Sequence, residues 1–436
     1  MRVYLRKALL SLVATALLAF GLPCPAEPVP FCKALDLALQ HSGLLAVSAA
    51  NQRKTRDTYE AARAVFLPTI VFGSGLGYTA GIPPSLEGSA PSIFNITSQQ
   101  SLLNFAQRDF VRAARNDLQA THFDISDKRD EVILETATAY FELDTALQKL
   151  KALSEAAEAA NRAEFITTQR LKEGIDSQLD LKKAQLKVAR VKMHVAEAQA
   201  AADVARQRLA HLTGLSAESI ETVGNSIPKP PEIDQDSALP ARAASRSPAV
   251  QFAQQKVVSA ELRAHAETHL MYPSIDLASQ YERLSSTLNN YAQYYKSFTA
   301  NSFAIGLSIR FPVTDFAQHA KSNAAAADLL RARLEARMAR EQVSETALQM
   351  QRSLRQLAAA RDVARLEYEV TQAGIDAVRA KMATGQANAR DQENAQLDSS
   401  DRYSSYLDSQ FQLSRAILQL MRQTGDIEGW ALPQKP

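Results

Sequence analysis

The chain has little of what interrupts a helix. Its 436 residues include only 15 glycines and 17 prolines, gathered in a few places. Residues 105–173, 175–213, 313–373 and 386–424 contain neither, and all four stretches are rich in Ala, Leu, Glu, Gln, Lys and Arg. They read as helices, the first about 100 Å long at 1.5 Å per residue. A rod of that length is stable only when laid against others. Cysteine is also scarce. A disulfide between Cys24 and Cys32 requires that both survive processing, and Cys32 is otherwise a lone thiol. Pro23 ahead of Cys24 argues against lipid attachment there.

Long hydrophobic runs are confined to the start. Arg2, Arg6 and Lys7, an apolar run from Ala8 to Phe20 and small residues ending at Ala26 read as a signal peptide over residues 1–26. No later stretch holds 18 successive apolar residues, so no helix is expected to cross a membrane. Cleavage would remove three of the 49 basic residues and no acid, leaving 46 against 47 acids and no nucleic-acid footprint. Catalytic constellations are missing too. His265 and His269 share a helical face, but Ala266 stands where a zincin pattern requires Glu. Neither a nucleophile elbow nor a phosphate loop occurs, so no enzyme, metal or cofactor is expected.

What the chain does contain, it contains twice. Phe105-Ala106-Gln107 returns as Phe316-Ala317-Gln318, Gly174 as Gly385, Ala184-Gln185 as Ala395-Gln396, and Thr213-Gly214 as Thr424-Gly425, always 211 residues apart. A constant offset over such a distance requires equal helix lengths in both halves. The first half is placed at 27–225 and the second at 226–425, with a tail at 426–436. In the first half, Ala34, Leu35, Leu37, Ala38, Leu45, Ala46, Ala49 and Ala50 predict one helix running to Leu67, where Pro68 stops it. Each long helix is expected to turn at Gly174 or Gly385 and return for 39 residues. Alanines at 196–205 and 324–327 suggest close helix–helix contact.

Between the helices the period changes to two. Ile70, Phe72, Leu76 and Tyr78 alternate with Val71, Gly73, Gly75 and Gly77, and Phe94 to Gln99 return after a loop at Ile82–Pro91, giving a hairpin over 69–104. A second hairpin, 274–311, alternates Phe303, Ile305, Leu307, Ile309 and Phe311 with Ala304, Gly306, Ser308 and Arg310. Its loop carries Tyr291, Tyr294 and Tyr295, fit for an interfacial aromatic girdle. Such strands suit a membrane barrel or a half-buried soluble sheet. Four strands cannot close around a lumen, and open edges are prohibitive in hydrocarbon, so the membrane reading requires other copies of the chain. Three copies give twelve strands.

Several features in fixed order carry a family resemblance. They are the helix ending in Leu67-Pro68, the hairpin, the Phe-x-x-x-Asp-Phe entry at Phe311–Phe316, the tip Arg170-Leu-Lys-Glu-Gly174 with Ser177 and Leu179-Asp180-Leu181, and the Leu212-Thr213-Gly214 stop. Together they resemble the TolC-like outer-membrane efflux family. The resemblance implies a mainly α chain with a small membrane β part. It implies a homotrimer whose twelve-stranded β-barrel, four strands per chain in outer-membrane lipid, continues as a long α-helical barrel through the periplasm. It implies a passive duct for efflux or type I secretion that docks to a periplasmic adaptor and an inner-membrane transporter through tips around Gly174, Ser177, Leu179 and Gly385. It places Asp180 and Asp391 near a closed periplasmic mouth. The second tip departs from the family, with Met382, Ala387 and Asn394 at the latch positions, and Arg390 is the candidate substitute. A helix-terminus charge is the plainer role for both acids. A periplasmic adaptor or a coiled-coil scaffold is the rival class, separated by its lack of paired hairpins or of alternating strands.

Overall fold

The computed structural model describes residues 27–75, 92–231, 238–285, 291–294 and 299–432. The expected signal peptide, Cys24, the strand positions Leu76, Gly77 and Tyr78, the loop Ile82–Pro91 and Tyr295 lie outside them. In chain order the elements are β1 (Glu27–Val29), α1 (Phe31–His41), α2 (Gly43–Ala64), β2 (Thr69–Gly73), β3 (Ser92–Leu103), α3 (Phe105–Lys172), α4 (Gln178–Thr213) and β4 (Ile220–Thr222). There follow α5 (Leu239–Arg246), α6 (Pro248–His269), β5 (Ser274–Leu284), α7 (Tyr291–Tyr294), β6 (Asn301–Arg310), α8 (Phe316–Ala383), α9 (Ala389–Thr424) and α10 (Ile427–Ala431). The four Gly- and Pro-poor stretches are thus helices, and α3 and α8 have the same length, 68 residues.

Some boundaries differ from expectation. The helix expected to run to Leu67 is two helices, because Ser42 takes an extended conformation (ψ 113°) that the apolar periodicity does not register. The returning helices have 36 residues rather than 39, since three residues after each tip glycine form the turn and the cap. The Tyr-bearing loop contains the short helix α7. Ala198, Ala202 and Ala205 are buried as expected, but Ala324, Ala326 and Ala327 are exposed in the single chain, so that stretch makes no close contact within it. Among the described residues no helix is long and apolar enough to cross a membrane.

The chain forms two compact units, each drawing on both halves. One comprises residues 45–128 and 244–344. It holds a four-stranded antiparallel sheet in the order β2-β3-β5-β6. The register aligns Phe72, Ile96, Tyr281 and Phe303 in one row across all four strands, and Val71, Thr97, Gln280 and Ala304 in the next. The first row is large and the second small or polar apart from Val71, whereas the next row, Ile70, Ser98, Ser279 and Ile305, is mixed. In the single chain every residue of β6 is exposed. The duplication also appears atom by atom. Asn104 Oδ1 accepts the Gln107 amide at 2.9 Å and Asp315 Oδ1 accepts the Gln318 amide at 2.9 Å, capping α3 and α8 alike. Each glutamine then donates its side-chain amide to a backbone carbonyl of the preceding helix, of Ala62 or Glu267, at 2.8 Å. Buried Asp117 pairs with Lys256 at 2.9 Å and with Arg263, and His269 Nδ1 meets Asp109 Oδ2 at 2.6 Å.

The other unit comprises residues 1–44, 129–243 and 345–436. Its core gathers around Phe31, with Tyr140 edge-on at 5.4 Å, Trp430 at 5.6 Å and Phe141 stacked at 5.9 Å. Buried Tyr140 donates its hydroxyl to Val29 O and accepts Val223 N–H, both at 2.8 Å, so one side chain ties together the segments bearing β1 and β4, which pair in parallel. Trp430 Nε1 donates to Lys229 O at 3.2 Å, binding the C-terminal helix to the Pro-rich segment.

Candidate functional site

Left-handed backbone builds both tips. Among the described residues, positive φ occurs at Gly174 (76°), Gly214 (73°), Gly385 (73°) and Gly425 (72°), two pairs each 211 residues apart. At the first tip Ile175 N–H donates to Arg170 O at 2.9 Å and Gly174 N–H to Leu171 O at 3.0 Å. At the second, Gln386 N–H donates to Lys381 O at 2.8 Å and Gly385 N–H to Met382 O at 3.0 Å. This double closure is a Schellman motif, which needs a residue at ease with positive φ. A Cβ at Gly174 or Gly385 would meet nothing within 4 Å, so backbone conformation alone requires glycine there.

The returning helices start on capping boxes that the sequence reading missed, although the spacing Ser-x-x-Asp and Asn-x-x-Asp carried the signal. Ser177 Oγ accepts Asp180 N–H at 3.2 Å while Asp180 Oδ2 accepts the Ser177 N–H at 3.1 Å and its hydroxyl at 2.7 Å. Asn388 and Asp391 repeat the exchange at 3.1 and 3.0 Å. Asp180 and Asp391 are therefore the third residues of their helices, where a carboxylate also complements the helix dipole. Leu179 beside them is 62% exposed.

Beyond capping, the two returning helices are linked. Arg390 Nη2 donates to Asp180 Oδ1 at 2.9 Å. One turn further along α9 and two along α4, Lys187 Nζ donates to Asn394 Oδ1. The structure thus brings four of the named residues, Asp180, Arg390, Asn394 and Ser177, into one cluster on α4 and α9. Lys187 was not anticipated; its only signal was that Lys183, Lys187 and Arg190 recur at helical spacing on α4. The hydrogen bonds from Ser177, with that from Arg390, hold the Asp180 carboxyl down at about 2. Burial lowers the Lys187 pKa, and the nearby Arg390 charge lowers it further. Burial raises that of Glu393 against the opposing pull of Lys187 and Arg162. The cluster is a hydrogen-bonded link between two helices with no nucleophile–base pair, and among the described residues no group of three or more metal-binding side chains is found.

Residues 34–215 match the family described as Outer membrane efflux protein. The chain is 27% identical over 330 residues to Protein CyaE of Bordetella pertussis, covering 72% of this chain and 67% of that one. In fold it is similar to the outer membrane protein VceC of Vibrio cholerae (TM-score 0.73, 16% identity, 91% of this chain and 96% of that one). It is also similar to the open-state MtrE outer membrane channel of Neisseria gonorrhoeae (TM-score 0.72, 18% identity, 91% and 89%).

Proposed function

We propose that this chain, whose residues 34–215 match the Outer membrane efflux protein family, is an outer-membrane protein with a long periplasmic extension and serves as the passive exit duct of a tripartite efflux or type I secretion system. In this reading three copies assemble, and a periplasmic adaptor and an inner-membrane transporter dock at tips that include Gly174, Ser177, Leu179 and Gly385. The observation that supports it best is the open sheet β2-β3-β5-β6. Four strands enclose no lumen, and an unpaired strand edge in hydrocarbon would leave backbone groups without partners. Pairing the fully exposed β6 of one copy with β2 of the next removes every edge and yields twelve strands. Asp180 and Asp391 then stand as rings of carboxylates at the periplasmic mouth, a composition that favours cations. Arg390 serves as the latch that Ala387 and Asn394 do not supply.

The test is the mass of the protein in mild detergent together with its conductance in planar bilayers. A trimer that conducts is expected. A monodisperse monomer with full strand content would overturn the reading.

A further inference from the structure

Helices α3, α4 and α9 surround a cavity of about 410 Å³ beside the Arg390–Asp180 link. The α3 wall is neutral and small, formed by Ala160, Ala163 and Thr167, so the space is left open rather than filled. The α4 and α9 walls bring four cations, Lys183, Lys187, Arg190 and Arg390, against two carboxylates, Asp180 and Glu393. The excess is positive. Asp180 is already engaged, since Oδ2 takes two bonds from Ser177 and Oδ1 takes Arg390. Like charges held this close repel, and a bound anion relieves that repulsion.

We propose that this cavity binds a small, free oxyanion of the phosphate type carrying at least two negative charges, held by Lys187, Arg190 and Arg390. Lysine supplies a point charge and arginine a planar fork of donors suited to a tetrahedral oxyanion. The anion competes with Asp180 for Arg390, so its binding and the α4–α9 link oppose one another, and by linkage each weakens the other equally. The site rests on the cavity and its charges and does not need the duct reading.

The probe is inorganic pyrophosphate, titrated calorimetrically into the full-length protein in mild detergent at constant low ionic strength set with chloride. One saturable site per chain is expected. Lys187→Gln with Arg190→Gln should weaken it by at least about tenfold, the loss of one charge-assisted hydrogen bond. Arg190→Gln alone should weaken it measurably and covers the case in which the double variant misfolds. Lys182→Gln, whose side chain turns to Gln185 at 3.2 Å, should change nothing. No saturable heat, equal affinity in the cavity variants, or displacement by phosphatidylglycerol in the micelles would overturn the assignment.

Discussion

Arg390 and Asp180 stand 210 residues apart in the chain and 2.9 Å apart in space. Asp180 uses one oxygen for its own helix and the other for its neighbour. Cap and cross-link therefore share one carboxylate, and α4 cannot tilt away from α9 without giving up a charge-assisted bond.

Arg390→Gln separates the two roles, because it removes the link and leaves the Ser177–Asp180 capping box whole. For so exposed a pair the stability change should be small. Conductance in planar bilayers should rise as the mouth relaxes. Unchanged conductance would remove Arg390 from any latch.

The pH dependence follows from the direction of the Asp180 shift. A carboxyl held at about 2, below its ordinary 3.8, contributes its full stabilisation above 3.8 and loses it as pH falls through about 2. Wild type and Asp180→Asn should therefore differ by a constant amount in stability from neutral pH down to about 4, and converge as pH falls from there towards about 2. Convergence near neutrality would point to another titrating group.

Asp180→Asn combined with Asp391→Asn should weaken cation selectivity and block by multivalent cations, with oligomeric state unchanged. Asparagine still accepts a hydrogen bond at each helix start, so a purely capping role predicts slightly lower helix stability and no change in selectivity. Reversal potentials across a salt gradient decide between them.

In the sheet, Leu307 pairs with Leu277 and Ser308 with Asp276, placing the two neighbours in rows of opposite character. Leu307→Arg should destabilise the membrane-inserted protein by about 2–4 kcal/mol if its row faces lipid near the midplane, whereas Ser308→Arg should be tolerated. Heat-resistant oligomer on gels, compared for the two variants, provides the readout. Equal sensitivity would contradict the alternation.

Tyr140→Phe keeps the ring among Phe31 and its neighbours but leaves Val29 C=O and Val223 N–H without their shared partner. The expected loss is about 1–3 kcal/mol, with β1 and β4 loosening first. Hydrogen exchange at Val223 should quicken in the variant, and an unchanged rate would show that the hydroxyl carries no weight.

What the sequence revealed depended on how far each signal reaches along the chain. Missing Gly and Pro marked the long helices almost to the residue, because a helix is a local structure. Alternation marked β2, β3, β5 and β6 for the same reason. The break at Ser42 was hidden, since apolar spacing continues through it while one backbone angle does not. β1 and β4 have three residues each and pair across 193 positions, too short and too distant to leave a pattern. Asp180, Asp391 and Arg390 came from a resemblance. The partner of Arg390 and the part played by Lys187 depend on how α4 and α9 lie against each other, which no local pattern encodes.

The exposed edge of β6 has a consequence for biogenesis. A newly folded chain offers the free edge of a ten-residue strand to whatever it meets, and a stray strand competes with a sister copy for the same hydrogen bonds. In the trimer proposed above, assembly is therefore an encounter between molecules, faster when copies are abundant and slower when they are rare. On that proposal a cell making this protein must either deliver copies together or shield that edge until they arrive, because the step that closes the sheet is one the single chain cannot complete.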